Sequence, residues 1–179
     1  MNHLNFGYTK GQQTLRNVSL SIDKGEMVSI VGRNGAGSKD SIYKGGLHQP
    51  GSKDFISDEN LFNYQAKVVN DLAEKESYVI VGRCVNYVFK DRPNTLRVFI
   101  HAPWEFRVEK ASEKISGSRE DVEKFLLKDD KRKQDYYRKF AGGIWNDATN
   151  YDLCLNSGKL GFEKCVDVIE AQLKIMLNK

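Results

Sequence analysis

The chain has 179 residues, is 40% hydrophobic and 29% charged, and so falls in the range of a soluble globular protein able to bury one core. Its formal net charge of +4 favours phosphate-bearing ligands only weakly and carries no specific nucleic-acid signal. No run of about 18 apolar residues occurs, so no membrane span is expected. The amino terminus lacks the basic-then-apolar order of an export signal, which makes a cytoplasmic location the expectation.

In chain order, Val18, Leu20 and Ile22 alternate as in a half-buried strand. "MVSIVG" (27–32) reads as a short buried strand ending in glycine. It runs into "VGRNGAGSKD" (31–40), one transposition away from the phosphate-loop pattern G-x-x-x-x-G-K-[ST]. Gly32 and Gly37 have the required spacing, but Ser38 and Lys39 stand in reversed order. Main-chain N–H groups of such a loop can bind phosphate without any side chain, and Gly35 and Gly37 can take positive φ at little cost. Lys39, one residue late, points about 100° round a helix, which its long stem partly offsets. The other reading of 31–40 is a plain strand-to-helix turn. A short, poor helix follows from Lys39 to Gly51, weakened by Gly45, Gly46 and Pro50.

Leu61, Phe62, Val68, Val69 and Leu72 recur at helical spacing, with Ser57 or Asp58 as the cap. "YVIVG" (78–82) reads as a central parallel strand, "RCVNYVF" as helical, and "LRVFIHA" (96–102) as a third buried strand. Pro103 suits the start of a helix reaching about Ile115. Ser118 and Asp121 have capping-box spacing, ahead of two helical pieces over about 119–140. "YDLCLNS" (151–157) is a fourth strand, and Phe162, Cys165, Val166, Ile169, Leu173 and Met176 make a closing helix. Cys84, Cys154 and Cys165 form no metal or disulfide pattern and read as buried reduced thiols. "KDDKRKQDYYRK" (128–139) is the densest basic stretch, either a solvated helix face or an anion-gripping lid.

The alternation of strand and helix implies a single α/β domain over 1–179, a three-layer parallel sheet with helices on both faces. Ligands in such sheets bind beyond the carboxyl ends of the strands. Those ends are Gly32-Arg33, Gly82-Arg83, His101-Ala102 and Asn156-Ser157.

Residues 4–37, "LNFGYTKGQQTLRNVSLSIDKGEMVSIVGRNGAG", resemble the start of an ABC-transporter ATPase domain, with Tyr8 matching the aromatic that stacks on adenine. The signature motif, the acidic pair and the switch histidine of that family have no counterpart downstream, so a transport cycle cannot be assembled. From about Asp58 to Lys179 the chain resembles the cytidylate kinase-like family of P-loop nucleoside monophosphate kinases. The resemblance is carried by "NLFNYQAKVVNDLAEKESYVIVGRC", "DRPNTLRVFIHAPWEFRVEK", "DKRKQDYYRKF", "YDLCLNS" and "LGFEKCVDVIE". The loop of that family, G-R-E-Y-G-S-G-G, lacks the usual lysine, and Gly32, Arg33, Gly35 and Gly37 fit it with one residue missing.

This second resemblance implies an ATP- and Mg²⁺-dependent kinase acting on a nucleoside monophosphate, cytidylate by family. Gly32, Arg33, Gly35, Gly37, Ser38 and Lys39 would hold the nucleotide. Arg83 would hold the acceptor phosphate or the transferring group, or else form a structural ion pair. Arg107 would lie near adenine or the triphosphate, or else be a surface charge. Lys128, Lys131, Arg132 and Lys133 would form a basic lid within about 116–140. Asn156, Ser157 and Gly158 would line the adenine through backbone groups, or else cap a helix. His101 reads as packing rather than catalysis.

Two departures weaken the kinase. Cys84, Val85 and Asn86 stand where the family carries an acid, leaving Asp91 and Asp130 as the nearby carboxylates, and no metal ligand is identified. The acceptor-binding helical segment is missing between the glycine loop and the helix at 58. The alternative is a nucleotide-binding or structural domain that keeps the kinase fold without turnover. The two resemblances together describe a composite chain, with an ABC-like front (1–40) and a kinase-like body (58–179). The nucleotide is the one partner implied, and nothing in the sequence sets the oligomeric state.

Overall fold

In a computed structural model, the structure describes residues 3–6, 15–19, 27–31, 47–75, 77–82 and 84–177. Strands β1 (His3–Phe6) and β2 (Leu15–Ser19) pair antiparallel as a sheet of their own. The main sheet has the order β4-β3-β5-β6, from β3 (Met27–Val31), β4 (Tyr78–Val81), β5 (Thr95–His101) and β6 (Leu153–Asn156).

Alternation along the strands sorts side chains to the two faces. Leu96, Val98 and Ile100 of β5 pack with Leu155 of β6 against Cys165, Ile169 and Leu173 of the closing helix α6 (Phe162–Leu177). Phe99 of β5 points the other way. It packs with Phe62 and Ala66 of α1 (Asp58–Ala73), Val85 and Val88 of α2 (Val85–Val88), and Tyr137 and Phe140 of α4 (Arg119–Ala141). Each fully buried aliphatic or Phe side chain contributes about 1.5–3 kcal/mol. The expected three-layer α/β class is thus present, with helices on both faces.

One strand departs from the expected parallel sheet. β5 and β6 are parallel, and β4 shares their direction, but β3 runs antiparallel to both of its neighbours. Val28 pairs with Val81 and Val98, whereas Val31 pairs with Tyr78 and Thr95, the first residues of β4 and β5. The apolar run of β3 predicts a strand, which the structure shows. It says nothing of direction, which an antiparallel ladder satisfies as well.

Helix α1 is capped by Ser57, whose side chain accepts from the Asn60 N–H. Buried Asn60 also ties down the segment before the helix. Its Oδ1 accepts from His48 N at 2.8 Å, and its Nδ2 donates to the carbonyls of His48 and Phe55. Residues 47–51 form turns rather than the tail of a helix. At the other end of α1, Arg92 Nη2 donates to the Ala73 carbonyl at 2.9 Å, which satisfies one of the orphan groups there. No basic residue lies in the last turn of α1, because the helix stops at Ala73, ahead of Lys75.

After α3 (Trp104–Ser112), residues 119–141 form one continuous helix, not two pieces. Ser118 and Asp121 build the expected reciprocal capping box, and Gly142 ends α4 at φ 73°. Val122 and Leu126 of α4 make a small core with Val108 and Ala111 of α3, apart from the core that holds Tyr137 and Phe140. No helix among the described residues is long and apolar enough to cross a membrane.

Candidate functional site

β5 and β6 end side by side, with His101 opposite Asn156. Ser157 Oγ donates to the His101 carbonyl at 3.2 Å and ties the two strand ends together. Beyond them opens a cavity of about 400 Å³, whose walls include Phe99, Ala102, Arg107, Asp130, Trp145 and Cys154. Its lining is mostly apolar with a few convergent polar groups, the usual character of a small-molecule site.

Arg107 is the central charged group. It projects from α3, and its Nη2 meets Asp130 Oδ1 of α4 at 2.6 Å, with both side chains less than a third exposed. The guanidinium carbon stands 5.5 Å from the centre of the Trp104 ring. The Nε atom is buried and has no hydrogen-bond partner among the described residues. Arg107 is therefore not an exposed surface charge: its guanidinium is largely buried in the cavity wall.

The short helix α5 (Ser157–Leu160) follows β6 directly. Asn156 Oδ1 accepts from the N–H groups of Gly158 and Lys159, so these amides serve as a helix cap. Of the two readings offered for Asn156–Gly158, the cap is the one realised, and only Ser157 of the three lines the cavity.

The basic stretch of α4 splits between two faces. Asp130 and Gln134 face the cavity, whereas Lys128, Lys131 and Arg132 line a separate groove of about 630 Å³ between α4 and α1, with Leu61, Tyr136 and Lys139. Adjacent helical positions differ by about 100°, so Lys131 cannot share the face of Asp130. Arg132 is exposed and pairs with Asp129 at 2.6 Å. Lys133 pairs with the same carboxylate at 2.9 Å and lies 5.9 Å from the Trp145 ring centre. Burial pushes the Asp129 carboxyl up, but the hydrogen bonds from Lys133 and Arg132 outweigh it and leave the group below the ordinary carboxylate range.

In the stretch 84–86, Asn86 is buried and donates from Nδ2 to Tyr137 Oη at 3.0 Å. Its Oδ1 is buried without a partner. Cys84, also buried, adopts φ 54° and starts α2, and burial pushes its thiol up to about 12. Cys165 is buried as expected. Cys154, expected buried, is exposed, because it alternates with Leu153 and Leu155 and so points to the open side of β6.

Tyr8, Gly32, Arg33, Gly35, Gly37, Ser38, Lys39 and Arg83 lie outside the described residues. The strand that leads to the glycine loop is described, however. Its last residue, Val31, sits at the amino ends of β4 and β5, away from His101 and Asn156. The expectation that all four strand ends meet at one edge is therefore corrected: β4, β5 and β6 end together, and β3 ends at the opposite edge. The aromatic wall went unforeseen. The alternation of β5 puts Phe99 on the face opposite Leu96, Val98 and Ile100, but nothing local brings Trp145 to it; the two rings meet edge-on at 5.6 Å.

Comparison with known proteins finds relatives of both kinds that the sequence resembles. The model of the cytidylate kinase-like family matches residues 12–159. The chain is 28% identical over 95 residues to EcfA2, the ATP-binding protein of an energy-coupling factor transporter from Clostridium perfringens, covering 52% of this chain and 30% of that protein. It is 33% identical over 81 residues to LolD, the ATP-binding protein of a lipoprotein-releasing system from Aquifex aeolicus, covering 45% of this chain and 34% of the relative. The match thus spans about a third of either transporter protein. A crystal structure of an uncharacterized protein from Eubacterium ventriosum superposes with a TM-score of 0.59 at 28% identity, over 66% of each chain.

Proposed function

Because the chain belongs to the cytidylate kinase-like family, whose model spans 148 positions from 12 to 159, we propose that it binds a nucleotide with the base seated in the cavity beside Arg107. The observation that carries this is the cavity itself. It lies beyond the carboxyl ends of two parallel strands, it is walled by Phe99 and Trp145, and it presents one guanidinium held by a carboxylate. An apolar slot with one hydrogen-bonding edge suits a heterocyclic base better than a polyphosphate.

The finer reading is an ATP-dependent phosphotransferase of the nucleoside monophosphate type, with a cytidylate-like acceptor. Phosphoryl transfer needs mainly positioning and neutralisation of charge. Arg83, Lys131 and Arg132 remain the proposed phosphate contacts, the last two from the groove between α4 and α1 and not from the cavity that would seat the base, and Gly32, Arg33, Gly35, Gly37, Ser38 and Lys39 the proposed phosphate loop. Within one domain over 1–179, α4 is the proposed lid. Mg²⁺ would take its ligands from the phosphates and from water, as it commonly does in part. Among the described residues no cluster of three or more metal-ligating side chains occurs, and Asp130 is engaged by Arg107.

A second reading, binding without turnover, is favoured by two observations. The stretch 84–86, where related kinases carry an acid, holds none, and its Asn86 is buried against Tyr137. The end of β3 lies at the opposite edge of the sheet from the cavity.

A coupled assay of ADP release with ATP, Mg²⁺ and CMP, run beside a thermal-shift titration with ATP, separates these readings. Turnover supports the kinase. A shift without turnover supports the binding module. No response to either removes the nucleotide from the cavity.

A further inference from the structure

We propose that Asp130 is a positioning residue for Arg107, holding its guanidinium as a platform for a planar base; this rests on the reading of the cavity as a nucleotide site. Three observations carry it. Asp130 and Arg107 come from different helices yet meet at 2.6 Å in the wall of the cavity. Trp104, one turn before Arg107 on α3, lies 5.5 Å from the guanidinium carbon. The Nε atom is buried and unpartnered among the described residues, so the group is not held from that side.

Charge and plane act together at Arg107. A free arginine side chain loses rotamer entropy on binding, and a fixed fork loses less of it at that moment. Trp104 covers one side of the guanidinium and Asp130 holds one terminal nitrogen. The orientation of the plane is therefore set before any ligand arrives. The carboxylate also cancels the positive charge locally, so the pair offers a flat, polarisable surface without a strong field. Such a surface favours stacking by an uncharged heterocycle over capture of phosphate.

A positioned guanidinium and simple electrostatics predict opposite effects of removing the carboxylate. For a nucleotide bound through its phosphates, removing a carboxylate from the site should strengthen binding. For a base stacked on a positioned guanidinium, it should weaken binding. The probe is therefore adenosine, which has no phosphate, with ATP as the comparison. Calorimetric affinities are measured for the wild type, Asp130→Asn, Asp130→Glu, Arg107→Lys and the double variant Asp130→Asn with Arg107→Lys, and thermal melts of each confirm folding.

The proposal expects Asp130→Asn to lower adenosine affinity roughly tenfold, the scale of one hydrogen bond to a charged group. Arg107→Lys should lower it by a similar factor, the double variant no further than either alone, and Asp130→Glu should restore part of the loss. A merely structural role would move the melting temperature without this non-additivity. The proposal is overturned if Asp130→Asn leaves adenosine affinity unchanged or raises it while Arg107→Lys lowers it. If the wild type binds neither adenosine nor ATP, the nucleotide reading has failed first, and the positioning role falls with it.

Discussion

Gly158 lies against Pro103 so closely that a β-carbon on it would stand 2.6 Å from Pro103 Cδ and 3.3 Å from Asn156 Oδ1. The contact joins the turn after β5 to the start of α5, so it sets the spacing of the two strand ends that floor the cavity. A proline ring cannot swing aside as the tip of a long side chain can. Gly158→Ala should therefore cost about 1–3 kcal/mol, as overpacking of a tight site does. Thermal melting checks this: a fall of several degrees is expected, and an unchanged midpoint would show that the two turns separate freely.

Arg97 and Asp152 clamp β5 to β6 from the exposed side. Arg97 Nε and Nη2 reach the two carboxylate oxygens at 3.0 and 2.6 Å, and the backbone N–H of Arg97 donates to the same carboxylate. Burial pushes the Asp152 carboxyl up, but these hydrogen bonds pull it further down, below its ordinary value. A carboxyl lowered on folding stabilises the fold above its unfolded pKa of about 3.9, and that stability is lost as pH falls through the folded value. Urea unfolding of the wild type and Asp152→Asn should differ at pH 7 and converge below about pH 4. The lowered carboxyls of Asp121, Asp129 and Asp147 are present in both proteins and cancel in the difference. A gap that stays constant with pH would rule the clamp out as the cause.

A carboxyl introduced at position 86 should not raise turnover. Asn86→Asp would place a carboxyl in a site 2% exposed, against the Tyr137 hydroxyl. Desolvation would raise its pKa and favour the neutral form. The variant should melt lower than the wild type and show no gain in ADP release with CMP. A gain in turnover would mean that this position opens to substrate.

The three thiols should differ in reactivity. Cys154 is exposed in the cavity wall, whereas Cys84 and Cys165 are buried and the Cys84 thiol is pushed up to about 12. Iodoacetamide at pH 8 should label Cys154 first, slowly because burial raises that thiol too. ATP should slow the labelling if the base sits where it is proposed. Equal labelling of all three in the native protein would contradict the burial of Cys84 and Cys165.

Much of the fold is legible from local pattern. The helix at 58–73, the capping box at Ser118 and the strands near 78 and 96 follow from periodicity and cap chemistry acting over a few residues. The site is less legible. Arg107 and Asp130 are 23 positions apart, and no spacing rule pairs them, since each belongs to a different helix. Asn86 and Tyr137 are 51 positions apart, and their contact likewise arises only when α2 and α4 pack on the same core.

What the amino-acid order alone determined is therefore most of the elements, though not the continuity of α4 or the short α5, together with the family resemblance and the residue types available at the strand ends. The tertiary structure alone decided the direction of β3, the division of the basic stretch of α4 between a cavity and a groove, and the pairing that turns Arg107 inward. The reason is physical. Propensity, capping and hydrophobic period are local quantities, whereas strand direction and ion pairing depend on which surfaces meet once the chain has folded.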